Sequence, residues 1–176
     1  MAALQKLKRD ALIALETGVI ADTNTVIPWD GVTREIESWN QNHHMKSAFK
    51  TSAVWFYQEL ARRIGAKRMQ HYVNIANYGN QNIDGGIDHF WLDGKLTISM
   101  EEQITFLRKL YKNALPFSYA NQMKVKGIME HTTTEKYTIR AKTGWKQPKQ
   151  GPGIGWFVGW VELPNYKGYY FATNID

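Results

Sequence analysis

Apolar residues recur every three or four positions through the first two thirds of the chain, which is the period of an amphipathic helix. The first such series consists of Leu4, Leu7, Leu12 and Leu15. It lies among strong helix formers and ends before Gly18, so residues 2–16 are predicted to form a helix. Ser99 and Glu102 have the spacing of a capping box and predict the start of a later helix. Pro116 is predicted to close that helix. The other predicted helices cover residues 47–64, 66–77 and 118–130.

After residue 131 the pattern changes to short runs of β-branched and aromatic residues, which is typical of strands. The predicted strands span residues 137–142, 155–162 and 169–174. Helices followed by strands favour an α+β fold, because a parallel α/β sheet would alternate the two. We therefore expect a single domain over residues 1–176, with a helical part (11–130) followed by a three-stranded antiparallel sheet (136–176).

The chain is basic, with 22 Lys and Arg against 16 Asp and Glu, and most of the excess lies in one segment. The basic residues of that segment are Lys124, Lys126, Lys136, Arg140, Lys142, Lys146 and Lys149. Such a segment forms a solvated face, a pocket for a small anion or a nucleic-acid surface. No nucleic-acid motif accompanies it, so we expect no nucleic-acid partner. No apolar run reaches the ~18 residues that span a bilayer, and the first ten residues lack a secretion-signal pattern, so we expect no membrane partner.

The strongest candidate chemistry is Lys142-Thr143-Gly144 at the end of a predicted strand. A lysine and a hydroxyl can bind a carboxylate there, and glycine lets a ligand approach the backbone. By itself this tripeptide is common. Ser52, in Ser52-Ala53-Val54, is most simply a helix N-cap or a small packing residue.

Three other features have simple structural interpretations. Tyr78-Gly79-Asn80 reads as a turn, and Trp91 as a core aromatic. The adjacent His43 and His44 point in different directions in any regular element and lack a carboxylate at ligand spacing, so no metal site is expected.

Taken in order, these motifs resemble those of class D (oxacillinase-type) serine β-lactamases. The resemblance rests on Ser52-Ala53-Val54, Tyr78-Gly79-Asn80, Phe90-Trp91-Leu92 and Lys142-Thr143-Gly144-Trp145, with ALIALETGVI and GWFVGWVE, and it covers residues 11–176. The antibiotic-sensor domains of β-lactam-responsive receptors share the pattern and remain an alternative. The resemblance implies a β-lactam as small-molecule partner, no cofactor, and a periplasmic or secreted parent.

The family acylates a serine in an S-x-x-K motif, whose carboxylated lysine is the general base. The resemblance implies that Ser52 relays a proton to the leaving nitrogen and that Val54 lines the lysine's pocket. It implies that Trp91 hydrogen-bonds the carbamate. It also implies that Lys142 and Thr143 hold the substrate carboxylate, and that the strand at Gly144 and Trp145 helps to form the oxyanion hole.

The sequence departs from the family at the nucleophile. Counting back without gaps places Leu4 where the serine belongs and Leu7 where the lysine belongs. Residues 1–16 contain no Ser, Thr or Cys, and the first hydroxyl is Thr17. We therefore expect a catalytically inactive derivative, since removing the nucleophile of a covalent hydrolase costs many orders of magnitude in kcat.

The ends of the chain also depart from the family pattern. Strands that precede the nucleophile segment and a C-terminal helix are missing, and residues 1–10 read as a helix foreign to the family. A truncated or engineered derivative of this kind would leave a sheet edge uncovered, and an uncovered edge recruits a strand. The alternative function is therefore a self-assembling module, which forms a homo-oligomer or pairs with a complementary fragment.

Overall fold

The computed structural model describes residues 7–92, 94–146, 153–165 and 167–175. The helices are α1 (Leu7–Glu16), α2 (Met45–Thr51), α3 (Val54–Ile64), α4 (Ala66–Ile75), α5 (Met100–Tyr111) and α6 (Tyr119–Ile128), with a 3-10 turn at Glu37–Trp39. The strands are β1 (Glu130–Thr133), β2 (Thr138–Lys146), β3 (Ile154–Glu162) and β4 (Gly168–Ile175). This is the α+β architecture that the sequence predicts.

The predicted helix over residues 47–64 is wrong, because the chain breaks it into α2 and α3. Ser52 lies in the left-handed region (φ 56°, ψ 38°), which ends α2, and Ala53 is the N-cap of α3. Ser52 is therefore not a helix N-cap. The Ala53 N–H still donates to the Ala48 carbonyl (2.9 Å), so the break is compact. The spacing of apolar residues alone does not reveal that one residue within a helical pattern has a left-handed backbone conformation.

Helix α1 is buried on every side and packs against α3 and α6. Every residue from Leu7 to Leu15 is buried. The apolar run from Ala11 to Leu15 is continuous around the helix, which is typical of a central rather than a surface helix.

The capping box at the start of α5 is confirmed. Ser99 Oγ accepts the Glu102 N–H (3.1 Å), and the Glu102 carboxylate accepts the Ser99 N–H (2.7 Å). The helix ends at Tyr111, earlier than Pro116, because Asn113 adopts φ 53° just beyond it.

The antiparallel sheet has four strands in the order β1-β2-β3-β4, one more than predicted. The additional strand, β1, is short, polar and mostly exposed, so it carries no alternation of apolar residues. It pairs with β2 only over residues 138–140, whereas β3 pairs with β2 along its whole length. The half of β2 that contains Lys142 therefore has an edge that β1 does not cover.

The sheet packs on the helices through α5, which lies over β3 and β4. The Tyr111 ring stands edge-on to Trp160 of β3 and Tyr170 of β4, with centroids 6.0 and 5.7 Å apart. Gly159 is required for close strand approach, because a Cβ there would lie 2.3 Å from the Arg140 carbonyl oxygen. No helix in the described ranges combines the length and apolar character needed to cross a bilayer.

Candidate active site

The break between α2 and α3 faces β2, and this brings Ser52 and Lys142 together across 90 positions of sequence. Lys142 Nζ lies 2.6 Å from Ser52 Oγ. It also donates to the Thr143 carbonyl (2.9 Å) and lies 3.3 Å from Thr143 Oγ1. The amine of Lys142 is therefore held between two hydroxyls and a backbone carbonyl.

Burial controls the charge of this amine. Lys142 is only 4% exposed, and burial lowers the pKa of its ammonium from 10.5 to about 8. The ring of Phe49 lies 5.6 Å from Nζ and offers the ammonium a weak cation–π contact. At neutral pH most Lys142 side chains therefore carry a charge, which is lost as the pH rises through about 8.

The edge of β2 that β1 leaves unpaired presents backbone groups beside this amine. The Ala141 N–H donates to the Met129 carbonyl (2.9 Å), so it points away from β3. Backbone groups alternate along an antiparallel strand, so the N–H groups of Thr143 and Trp145 point toward the same open edge. Gly144, which lies between them, is buried and has no side chain, so no side-chain atoms project from β2 at this position.

A cleft of about 410 Å³ adjoins the site, between α2, β1 and β2. Its charged and titratable lining consists of Lys46, Lys50, Glu130, His131 and Lys142. Sequence reasoning missed Lys46 and Lys50, although their i, i+4 spacing places both on one face of a helix. Three lysines against one glutamate give a positive field that favours an anionic ligand.

The other predicted site residues lie in different surroundings. Val54 is the first residue of α3, half-buried and two positions after Ser52. Trp145 lies in β2 with 56% of its surface exposed. Trp91 is buried, and the Arg9 guanidinium lies 5.9 Å from the centroid of its ring.

The first turn of α1 buries three charged side chains that sequence reasoning did not single out. Lys8, Arg9 and Asp10 are fully buried. Lys8 Nζ donates to Gln103 Oε1 (2.9 Å), and Arg9 Nε donates to Asp10 Oδ1 (2.9 Å). The guanidinium of Arg9 lies 4.8 Å from the Phe90 ring centroid. The position before this cluster is Leu7, also fully buried, whereas Leu4 lies outside the described residues.

The two histidines have structural partners. His43 Nδ1 lies 2.9 Å from Ser47 Oγ, and its Nε2 lies 3.0 Å from the Ser38 carbonyl oxygen. His44 caps α2 by accepting the Ser47 N–H. Within the described ranges, no group of three or more His, Asp or Glu residues could hold a metal ion.

Comparison with known proteins gives the family of this fold and site. Residues 10–176 match the penicillin-binding protein transpeptidase domain. The chain is 48% identical to the β-lactamase OXA-48 of Klebsiella pneumoniae over 167 residues. A crystal structure of the class D β-lactamase YbXI from Nostoc superposes with a TM-score of 0.94 at 44% identity, covering 99% of this chain and 73% of that one. The chain belongs to the class D β-lactamase family.

Within the class D family the match is partial in length. It covers 95% of this chain and 62% of OXA-48, and 95% and 61% for the probable β-lactamase YbxI of Bacillus subtilis, which is 46% identical. The chain thus spans about three fifths of the length of these curated relatives.

Proposed function

We propose that this chain binds β-lactams at the cluster formed by Ser52, Lys142 and Thr143, but does not hydrolyse them through an S-x-x-K acyl-enzyme. The observation that supports binding is the placement of Lys142 Nζ, 2.6 Å from Ser52 Oγ and beside Thr143. The exposed Thr143 hydroxyl and the Lys142 ammonium are a suitable pair for a substrate carboxylate. Lys46 and Lys50 add positive charge at the same cleft.

The proposed lack of hydrolysis rests on the residues at the S-x-x-K register. Counted back without gaps from ALIALETGVI, Leu7 falls at the position of the general-base lysine and carries no amine, and Leu4 falls at the position of the serine. Thr17 does not substitute for the serine. It lies ten residues after Leu7, which is about 15 Å along a helix, and its hydroxyl donates to the Ile13 carbonyl (2.7 Å).

Calorimetric titration with benzylpenicillin tests the binding. We expect saturable binding to the wild-type chain, and a loss of at least about tenfold in affinity for Lys142→Met, since a charged hydrogen bond contributes about 1.5–3 kcal/mol. Lys67→Met, at an exposed position of α4, is the matched control and should bind as the wild type does. Binding that is absent, or unchanged in Lys142→Met, would overturn the proposal.

A second candidate function is assembly through β4. In the part of the chain that the structure describes, β4 pairs with β3 alone, so its outer edge is open over residues 168–175. Tyr169 and Ile175 are 59% and 62% exposed there. An open edge with apolar side chains can add a strand from a second copy or from a complementary fragment.

Light scattering after size-exclusion chromatography should give a mass above 20.3 kDa that rises with concentration. A strict monomer across the micromolar range would exclude self-assembly.

A further inference from the structure

Ser52 and Lys142 have the arrangement of a nucleophile and its base, independent of the S-x-x-K register. The two atoms lie within hydrogen-bond reach at 2.6 Å, and the Thr143 carbonyl and hydroxyl in turn orient the amine. An activated serine in enzymes has these same parts: the hydroxyl, a base within reach and a third group that fixes the base. We infer that Ser52 is an acyl acceptor, which attacks an activated carbonyl carbon while Lys142 takes its proton.

The proposed step balances without any further reactant. Neutral Lys142 Nζ removes the proton from Ser52 Oγ, and Oγ forms a bond to the carbonyl carbon. With a β-lactam, the C–N bond of the ring breaks and the nitrogen takes the proton back from Lys142. With a p-nitrophenyl ester, the C–O bond breaks, p-nitrophenolate leaves, and Lys142 releases its proton to water. The product in both cases is an ester on Ser52.

The backbone of Ser52 holds its hydroxyl in place. Its left-handed conformation (φ 56°) ends α2, and its N–H donates to the Phe49 carbonyl (3.4 Å). A serine adopts this region at a cost in free energy, so the surrounding fold must impose the geometry. The residue is half-buried, so part of its surface remains exposed. The N–H of Trp145 points toward the same open edge of β2, where it can stabilise the developing oxyanion.

Lys142 is tuned for this role by its burial. With a pKa of about 8, the neutral amine makes up roughly a tenth of the molecules at pH 7 and roughly nine tenths at pH 9. The acylation rate should therefore rise about tenfold between these pH values and level off above them. A lysine at its ordinary pKa would show a continued rise through pH 10.

The acyl group from a β-lactam should remain on Ser52. Ring opening leaves the amine tethered to the acyl group and beside Lys142, where a hydrolytic water would need the same base. The inference rests on the proposed function only in taking a β-lactam as one acyl donor. A p-nitrophenyl ester does not need the carboxylate site, so the two proposals can fail separately.

The experiment uses benzylpenicillin and p-nitrophenyl acetate with the full chain, followed by intact-mass and peptide mass spectrometry. We expect one penicilloyl group per chain, located on Ser52, and acetylation of Ser52 by the ester. Ser52→Gly, which suits the left-handed backbone, should take up neither group at this position. Lys142→Met should slow labelling by at least about 100-fold, the usual contribution of a general base. Ser38→Ala, at an exposed serine, is the control and should label as the wild type does.

Each outcome decides between the proposals. Acetylation of Ser52 without penicillin binding supports the inference and overturns the proposed function. Reversible penicillin binding without an adduct from either probe overturns the inference alone. Three other results would also overturn the inference. The first is adducts on other residues only, and the second is a Ser52→Gly chain that reacts like the wild type. The third is a pH profile without a plateau near pH 9.

Discussion

Replacing Lys142 by methionine should stabilise the fold at neutral pH. Burial lowers the pKa of this ammonium from 10.5 to about 8, which at 1.36 kcal/mol for each pKa unit is a cost of about 3 kcal/mol for keeping the charge. Methionine has an unbranched side chain of similar length and needs no solvation. It loses the hydrogen bonds to Ser52 and Thr143, so the expected gain in the free energy of unfolding is about 1–3 kcal/mol.

The difference in the free energy of unfolding between the wild type and Lys142→Met should change with pH in a defined direction. The folded pKa is below the unfolded one, so the cost of the charge is fully present below pH 8. It disappears as the pH rises from 8 to 10.5, where the unfolded chain still binds the proton that the folded chain has released. The wild type should therefore approach the stability of Lys142→Met over this range.

Urea denaturation of both proteins at pH 7, 8, 9 and 10 measures the difference. Lys67→Met replaces an exposed lysine and should change stability by less than about 0.5 kcal/mol at every pH. If Lys142→Met is less stable than the wild type at pH 7, or if the difference does not shrink between pH 8 and 10, the reasoning from burial is refuted.

Three further substitutions test the fold around the site. Asp10→Ala should cost about 3–5 kcal/mol in urea denaturation, because it leaves the fully buried Arg9 charge without its carboxylate; a loss below 1 kcal/mol would contradict the buried pair. Asn113→Gly should raise the stability by about 0.5–1 kcal/mol, since glycine suits the left-handed residue after α5, and a lower stability would count against that conformation. Gly159→Ala should lower the Tm by several degrees, because the added Cβ meets the backbone of β2 at 2.3 Å; an unchanged Tm would show that the two strands are not so close.

Much of the fold follows from patterns that the sequence displays directly. The capping box of α5, the change from helical to strand periodicity and the continuous apolar run of α1 all report local preferences. The fourth strand was not predictable in this way, because β1 is polar and is held only by its pairing with residues 138–140. Its existence depends on a neighbour rather than on its own residues.

The candidate site was predictable as a set of motifs but not as a geometry. The resemblance points to Ser52, Lys142 and Thr143, whereas the break that brings Ser52 to Lys142 is a single left-handed residue inside an apolar helical pattern. The lowered pKa of Lys142 follows from burial under α2, which no local pattern encodes.

The buried charges of α1 escaped prediction for a related reason. Lys8, Arg9 and Asp10 have the composition of a solvated helix end, yet they are fully buried and two of them pair with each other. The neighbouring apolar run of α1 was a signal of central position that could have indicated their burial.

A progress curve with nitrocefin at micromolar protein tests the account most directly. The account predicts that at most one equivalent of nitrocefin opens per chain, after which the absorbance stays flat, and that Ser52→Gly shows no opening. Continued turnover of many equivalents that is lost in Ser52→Gly or Lys142→Met would contradict it.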